Sequence, residues 1–156
     1  MASSFINTVD ELIKFIIPLF SDEFNIAYDS NSSVYYFLNG GCYELARVIK
    51  HYFPKTQYVV RDDYDHIAIL FNNRIYDAFD FYEDWQLKKY NIGKELYEKD
   101  LSKFTIVTEN EIDNFPVEFN RNDIINGKRV SDALIEEIDK IDSIKILPNG
   151  KKKKLN

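Results

Sequence analysis

The chain has 156 residues, the size of one compact domain, and at 45% hydrophobic and 29% charged it falls outside disordered, collagen-like and membrane compositions. Twenty Lys and Arg against 26 Asp and Glu leave a net charge of −6, which disfavours a global electrostatic grip on nucleic acid. A single Cys rules out a disulfide within the chain, and one Cys with two His cannot build a Cys-rich zinc site.

Thr8-Val9-Asp10-Glu11 has the form of a capping box, and Leu12, Phe15, Ile16 and Leu19 follow at helical spacing. The pattern predicts a helix over about 9–20, with Pro18 marking a frayed or bent last turn. Residues 21–33 are polar with scattered aromatics and read as a loop. The apolar run Val34 to Leu38 stops at Asn39-Gly40-Gly41. Cys42, Leu45, Ala46, Ile49 and Phe53 then form one helical stripe, which Pro54 ends.

Three strands are expected next, at 57–61, 66–71 and 74–78, with Asn72-Asn73 as the tight turn of a hairpin. Beyond them, 82–90 and 94–103 read as helical, 105–108 as a strand, 131–141 as a helix and 144–147 as an edge strand. The order of elements predicts an α+β fold. Residues 1–150 are expected to form the domain and 151–156 a lysine-rich flexible tail. The longest apolar candidate, Phe15 to Phe20, is far too short to span a membrane and contains Pro18. The N-terminus lacks the pattern of a secretory signal, so a soluble, cytoplasmic protein is the expectation.

The segment from Asn39 to Asp80 carries the chemistry. Gly40-Gly41 places Cys42 in the first turn of a helix, where backbone N–H groups and the helix dipole favour an ionised sulfur. Glycine at both preceding positions lets a substrate carbonyl approach the backbone, and the Cys42 N–H is a candidate oxyanion donor. His51 lies nine residues on along the same helix, and at about 100° per residue it falls on the opposite face. His66, at the start of a strand, is the remaining base. Pairing about Asn72-Asn73 sets Ala68 opposite Asp77, leaving His66 and Asp77 diagonal neighbours at roughly 7–8 Å between backbones, a gap the two side chains can bridge. Asp80, opposite Asp65 and beyond the strand, is the runner-up.

The segments Gly40-Gly41-Cys42-Tyr43-Glu44-Leu45-Ala46, Asp65-His66-Ile67-Ala68-Ile69 and Arg74-Ile75-Tyr76-Asp77-Ala78 resemble the papain-like cysteine superfamily. The chain order is closest to its transglutaminase-like and arylamine acetyltransferase-like branches. The resemblance implies Cys42 as nucleophile, His66 as base and Asp77 as its orienter, with the Cys helix packed on an antiparallel sheet bearing His and Asp. Papain-type enzymes carry a Gln six residues before the nucleophile. Tyr36 stands there in this chain, and Tyr35 and Asn39 are alternative donors. An aromatic usually follows the His in the transglutaminase pattern, where this chain has Ile67.

Several other features read as structural. Asp62, Asp63 and Asp65 look like a solvated hairpin end, because cation loops need defined spacing and usually a turn glycine. Phe79, Phe81, Tyr82 and Trp85 are expected mainly in the core, with one wall of a substrate groove as the alternative and Trp85 as its substrate candidate. No metal and no cofactor is expected. The reading is a small cysteine-dependent acyl-transfer enzyme (peptidase, amidase, deamidase or transglutaminase-type) acting on a protein or peptide-like amide through a thioester. The alternative is a non-catalytic binding or inhibitor module, such as a phage- or plasmid-encoded antagonist of a host protein, that keeps the fold and docks on a basic surface. A weaker third is an effector that deamidates a host Gln.

Overall fold

A computed structural model describes residues 4–97, 99–115 and 123–148. The lysine tail, and Asn149-Gly150 before it, lie outside the described residues. The elements run β1 (Ser4–Ile6), α1 (Val9–Glu23), α2 (Ser30–Leu38), α3 (Cys42–Tyr52), β2 (Gln57–Arg61), β3 (Ile67–Phe71) and β4 (Arg74–Tyr76). A 3₁₀ turn at Ala78–Phe81, α4 (Asp84–Lys89), α5 (Lys94–Tyr97), a second 3₁₀ turn at Leu101–Lys103, β5 (Phe104–Val107) and α6 (Glu109–Asp113) follow. The chain then forms β6 (Ile124–Ile125), β7 (Lys128–Arg129), α7 (Val130–Asp139) and β8 (Ile144–Ile146).

The fold is α+β. Its main sheet has the order β4-β3-β2-β5 with every neighbouring pair antiparallel. Asn72 and Asn73 both take positive φ, at 50° and 62°, which closes the β3–β4 hairpin in two residues. That turn sets the register Leu70↔Ile75 and Ile69↔Tyr76, the one expected from the sequence. The sheet is two-sided. Tyr58, Val60, Ile67 and Ile69 face the main core with α1, α2 and α3, while Val59, Ala68 and Ile75 form a small cluster on the other face.

α1 forms because its cap is satisfied twice. The Thr8 Oγ1 accepts the Glu11 N–H at 3.1 Å, and Glu11 Oε1 accepts the Asn7 N–H at 3.2 Å. The helix runs past Pro18 to Glu23 rather than fraying there. Burial of Ile16, Ile17 and Phe20 on the core side holds the last turns against the lost backbone bond.

The expected loop at 21–33 is also shorter than expected. Asp29 accepts the Ser32 N–H at 2.8 Å and starts α2 at Ser30. Ser, Asn and Asp in a row signal a cap as readily as a loop, and here the cap wins. The stretch 94–103 is not one helix but α5 and a separate 3₁₀ turn, Asp100 capping the turn through the Ser102 N–H at 3.0 Å. β1 went unforeseen because its partner is distant: it pairs in parallel with β8, Phe5 beside Lys145.

α3 packs on β3 and on α7. Glu44, in its first turn and 1% exposed, fixes the second contact. Its carboxylate accepts the Ser131 N–H at 3.0 Å and the Ser131 hydroxyl at 3.1 Å, and it pairs with Arg129 at 2.5 Å. α3 therefore has a fixed rotation and height, which determine where Cys42 points.

Candidate active site

Cys42 opens α3, and the preceding Gly41 offers no side chain to cap the helix. The first N–H groups of the helix have no intrahelical acceptor, so the thiol sits beside unspent donors. Gly40 takes φ 111°, a conformation suited to glycine, and turns the chain from α2 into α3. The role of Gly41 differs from the one expected. The Tyr36 ring lies where a Cβ would stand, with Cδ2 at 2.7 Å and Cζ at 2.9 Å from that point. The space over Gly41 belongs to a tyrosine of the protein rather than to a substrate.

His66 Nε2 lies 2.9 Å from Asp77 Oδ2, and the two residues are 6% and 4% exposed. Cys42 is close enough to the same ring to help raise its pKa. With Nε2 held by Asp77, Nδ1 is the nitrogen left for sulfur. The Ile67 N–H also reaches Cys42 Sγ, at 3.4 Å. The structure thus brings Cys42, His66 and Asp77 together from the start of α3, the residue before β3 and the residue after β4, one step outside the strands expected to hold the last two. His51 is exposed at the other end of the helix and takes no part.

The electrostatics follow from burial against pairing. Burial opposes charge on the His66 ring, but the hydrogen bonds and negative charge of Asp77 and Cys42 outweigh it and push the ring up to about 9. Burial likewise opposes charge on Asp77, yet Lys99 and His66 draw its carboxyl down to about 2. Asp77 is fully used. Its Oδ1 accepts the Phe79 N–H at 2.9 Å and faces Lys99 Nζ at 3.2 Å, while its Oδ2 faces His66. Asp80, the runner-up, does not reach the ring. It accepts the Asp77 N–H at 2.9 Å and pairs with Lys99 at 3.0 Å and Arg74 at 2.7 Å.

Lys99 was not among the sequence candidates. It lies 22 residues beyond Asp77, in a stretch expected to be helical, and only the tertiary fold places it. Its ammonium-bearing side chain is 9% exposed.

A cleft of about 330 Å³ opens beside this group, lined by Asn39, His66, Asp77, Phe79, Lys99 and Lys103 among others. Cys42 does not line it, and the residue is only 4% exposed. Asn39 is at the cleft, one of its Nδ2 hydrogens spent on the Tyr35 carbonyl at 2.9 Å. Tyr36 is not an oxyanion donor in this arrangement, because its hydroxyl donates to Asp123 Oδ2 at 2.5 Å. Tyr35 is 69% exposed on α2 and Trp85 62% exposed on α4, and neither lines the cleft. Of the aromatic run, Phe79 reaches the cleft while Phe81 and Tyr82 pack against the core.

Asp62, Asp63 and Asp65 form the β2–β3 turn. Arg61 Nε sits 2.9 Å from Asp63 Oδ1, which also accepts the Asp65 N–H at 3.0 Å. Among the described residues no three His, Cys, Asp or Glu side chains converge as a metal site requires. No described helix is long and apolar enough to cross a membrane.

A family model described as "Phage YunG-like protein" matches residues 12–126, which span α1 to β6 and include every residue of the site. A match over that share of the chain places it in that family. No curated protein and no solved structure matches the chain.

Proposed function

We propose that this member of the Phage YunG-like family is a cysteine-dependent acyl-transfer enzyme, with a papain-like arrangement of Cys42, His66 and Asp77. The observation that carries the reading is the buried His66–Asp77 pair at 2.9 Å beside a cysteine at an uncapped helix start, whose sulfur accepts the N–H of Ile67, the residue after the histidine. In this scheme the ring, pushed up to about 9, already holds the proton drawn from Cys42 on its Nδ1 at neutral pH, and the sulfur attacks the carbonyl carbon of an amide as a thiolate. Negative charge develops on the carbonyl oxygen, facing the N–H groups of the first turn of α3. The imidazolium then gives its proton to the departing amine as the C–N bond breaks, leaving a thioester on Cys42. Water attacks the thioester with His66 as base and releases a carboxylate, or an amine attacks in its place and forms a new amide. Asp77 keeps the ring oriented and balances its positive charge.

The test is labelling by a peptidyl fluoromethyl ketone, followed by intact mass. Cys42→Ala and His66→Ala are each expected to abolish labelling, and His51→Ala to leave it unchanged. Equal labelling of the His66→Ala chain across pH 5–8 contradicts activation by that ring.

One observation favours the second reading, a binding module that keeps the fold without the chemistry: the thiol does not line the cleft. A partner-binding role leaves affinity unchanged in Cys42→Ala, whereas the acyl-transfer reading requires Cys42 for turnover.

A further inference from the structure

We propose that Lys99 is a positioning residue of this site: its ammonium keeps Asp77 and Asp80 ionised side by side and so fixes the carboxylate oxygen that faces His66. The functional consequence rests on the acyl-transfer reading, but the physical claim stands on geometry alone. Asp77 and Asp80 cap the same 3₁₀ turn reciprocally, each accepting a backbone N–H of that turn. This draws two carboxylates together with little water, Asp80's side chain being 8% exposed and Asp77's 5%. Two anions at such a place repel, and without a cation each holds its proton to higher pH, although both are still ionised in the alkaline range where the His66 ring titrates. Lys99 Nζ sits between them, 3.2 Å from Asp77 Oδ1 and 3.0 Å from Asp80 Oδ2. Arg74 supports only the Asp80 side, at 2.7 Å, and its own side chain is half exposed.

The consequence is directional. An ammonium on Oδ1 leaves Oδ2 as the oxygen available to His66 Nε2. It also offsets part of the negative charge the ring experiences. The titratable and charged groups around the ring are Cys42 from α3, Asp77 and Asp80 from the 3₁₀ turn, Arg74 from β4, Lys99 itself, and Arg61, Asp65, Asp100 and Lys103 at the cleft. Removing the cation beside Asp77 favours the protonated His66 ring.

The experiment compares the full-length chain with Lys99→Met, which removes the charge at similar length, and Lys99→Arg, which keeps it. The first readout is the titration of the His66 ring by NMR. Lys99→Met is expected to move the ring upward by about one to two pH units, the size a unit charge exerts at roughly 8 Å through an effective dielectric of ~20. Lys99→Arg is expected to stay within a few tenths of wild type. The second readout is the pH profile of iodoacetamide alkylation of Cys42, whose acidic limb is expected to move upward in Lys99→Met and not in Lys99→Arg. An unmoved His66 titration in Lys99→Met overturns the proposal whatever happens to stability.

If Lys99→Met does not fold, adding Asp80→Asn is expected to restore folding by removing the carboxylate repulsion, and failure of that rescue counts against the proposal. Loss of the acyl-transfer reading is separable. A Cys42 that takes no acyl group, in a chain whose His66 still moves in Lys99→Met, removes the enzyme and leaves the role of Lys99. A Cys42 that does acylate, beside an unmoved His66, removes Lys99 alone.

Discussion

His66 and Asp77 meet through one hydrogen bond of 2.9 Å although eleven residues separate them, and both are almost sealed from water. The contact is built by the hairpin between them. The Asn72-Asn73 turn fixes which residues of β3 and β4 are opposite, and continuing that register past the strand ends brings the ring to the carboxylate.

The pair makes stability depend on pH in two windows. The folded His66 ring titrates near about 9 against an ordinary 6.5. Its contribution is therefore full below roughly pH 6.5 and is lost as pH rises through about 9. Asp77, held at about 2 against 3.8, contributes above pH 3.8 and loses its share as pH falls through about 2. Urea unfolding of wild type is expected to lose on the order of 3 kcal/mol between pH 6.5 and 9. Asp77→Asn is expected to flatten that upper window, because the ring then lacks its anion and burial keeps it neutral. A steep loss retained in Asp77→Asn contradicts the assignment.

Gly41 is expected to tolerate no side chain. A Cβ there meets the Tyr36 ring, so Gly41→Ala must displace Tyr36 from Phe20, on which it stacks at 5.1 Å, and from Asp123. The expected cost is about 1–3 kcal/mol, typical of overpacking, with reduced Cys42 alkylation at pH 7. Combining Gly41→Ala with Tyr36→Ala should recover part of both. No recovery in the double variant argues against this contact as the cause.

Glu44 anchors α3 to α7, and its removal leaves Arg129 and the Ser131 N–H without their carboxylate. Glu44→Ala is expected to cost about 3 kcal/mol by urea unfolding, while Glu44→Gln, which still accepts from Ser131, costs less. Equal losses in the two variants contradict the role given to the charge.

Much of the site was legible because its determinants are local. Gly-Gly before Cys42, Pro54 after the helix and the Asn-Asn turn each act within a few residues, and together they set the sulfur, the strand and the register. What the sequence withheld depends on distant partners. β1 exists only because β8 lies beside it, and α1 passes Pro18 because Ile16, Ile17 and Phe20 are buried by other elements. Lys99 enters from a segment whose own pattern is weak. Tyr36 was considered for its hydroxyl, whereas its ring over Gly41 and its bond to Asp123 come from tertiary packing.

The hairpin register offers a further test. Both turn asparagines hold positive φ, which a β-branched residue adopts only at a cost of roughly 1–2 kcal/mol. Asn73→Val is expected to destabilise by that amount and to weaken Cys42 alkylation, while Asn73→Gly leaves alkylation intact and stabilises slightly. Unchanged stability in Asn73→Val, measured by thermal unfolding, contradicts the turn assignment.

The most direct measurement is acyl transfer to sulfur, followed by intact mass and peptide mapping after brief exposure to p-nitrophenyl acetate. The expected result is one hydroxylamine-labile acetyl group on Cys42, absent from Cys42→Ala and formed at least about tenfold more slowly in His66→Ala, at the low end of what a positioned base supplies. Acetylation of Cys42 at the same rate without the His66 ring, or none on Cys42 in wild type, contradicts a thiol activated by His66.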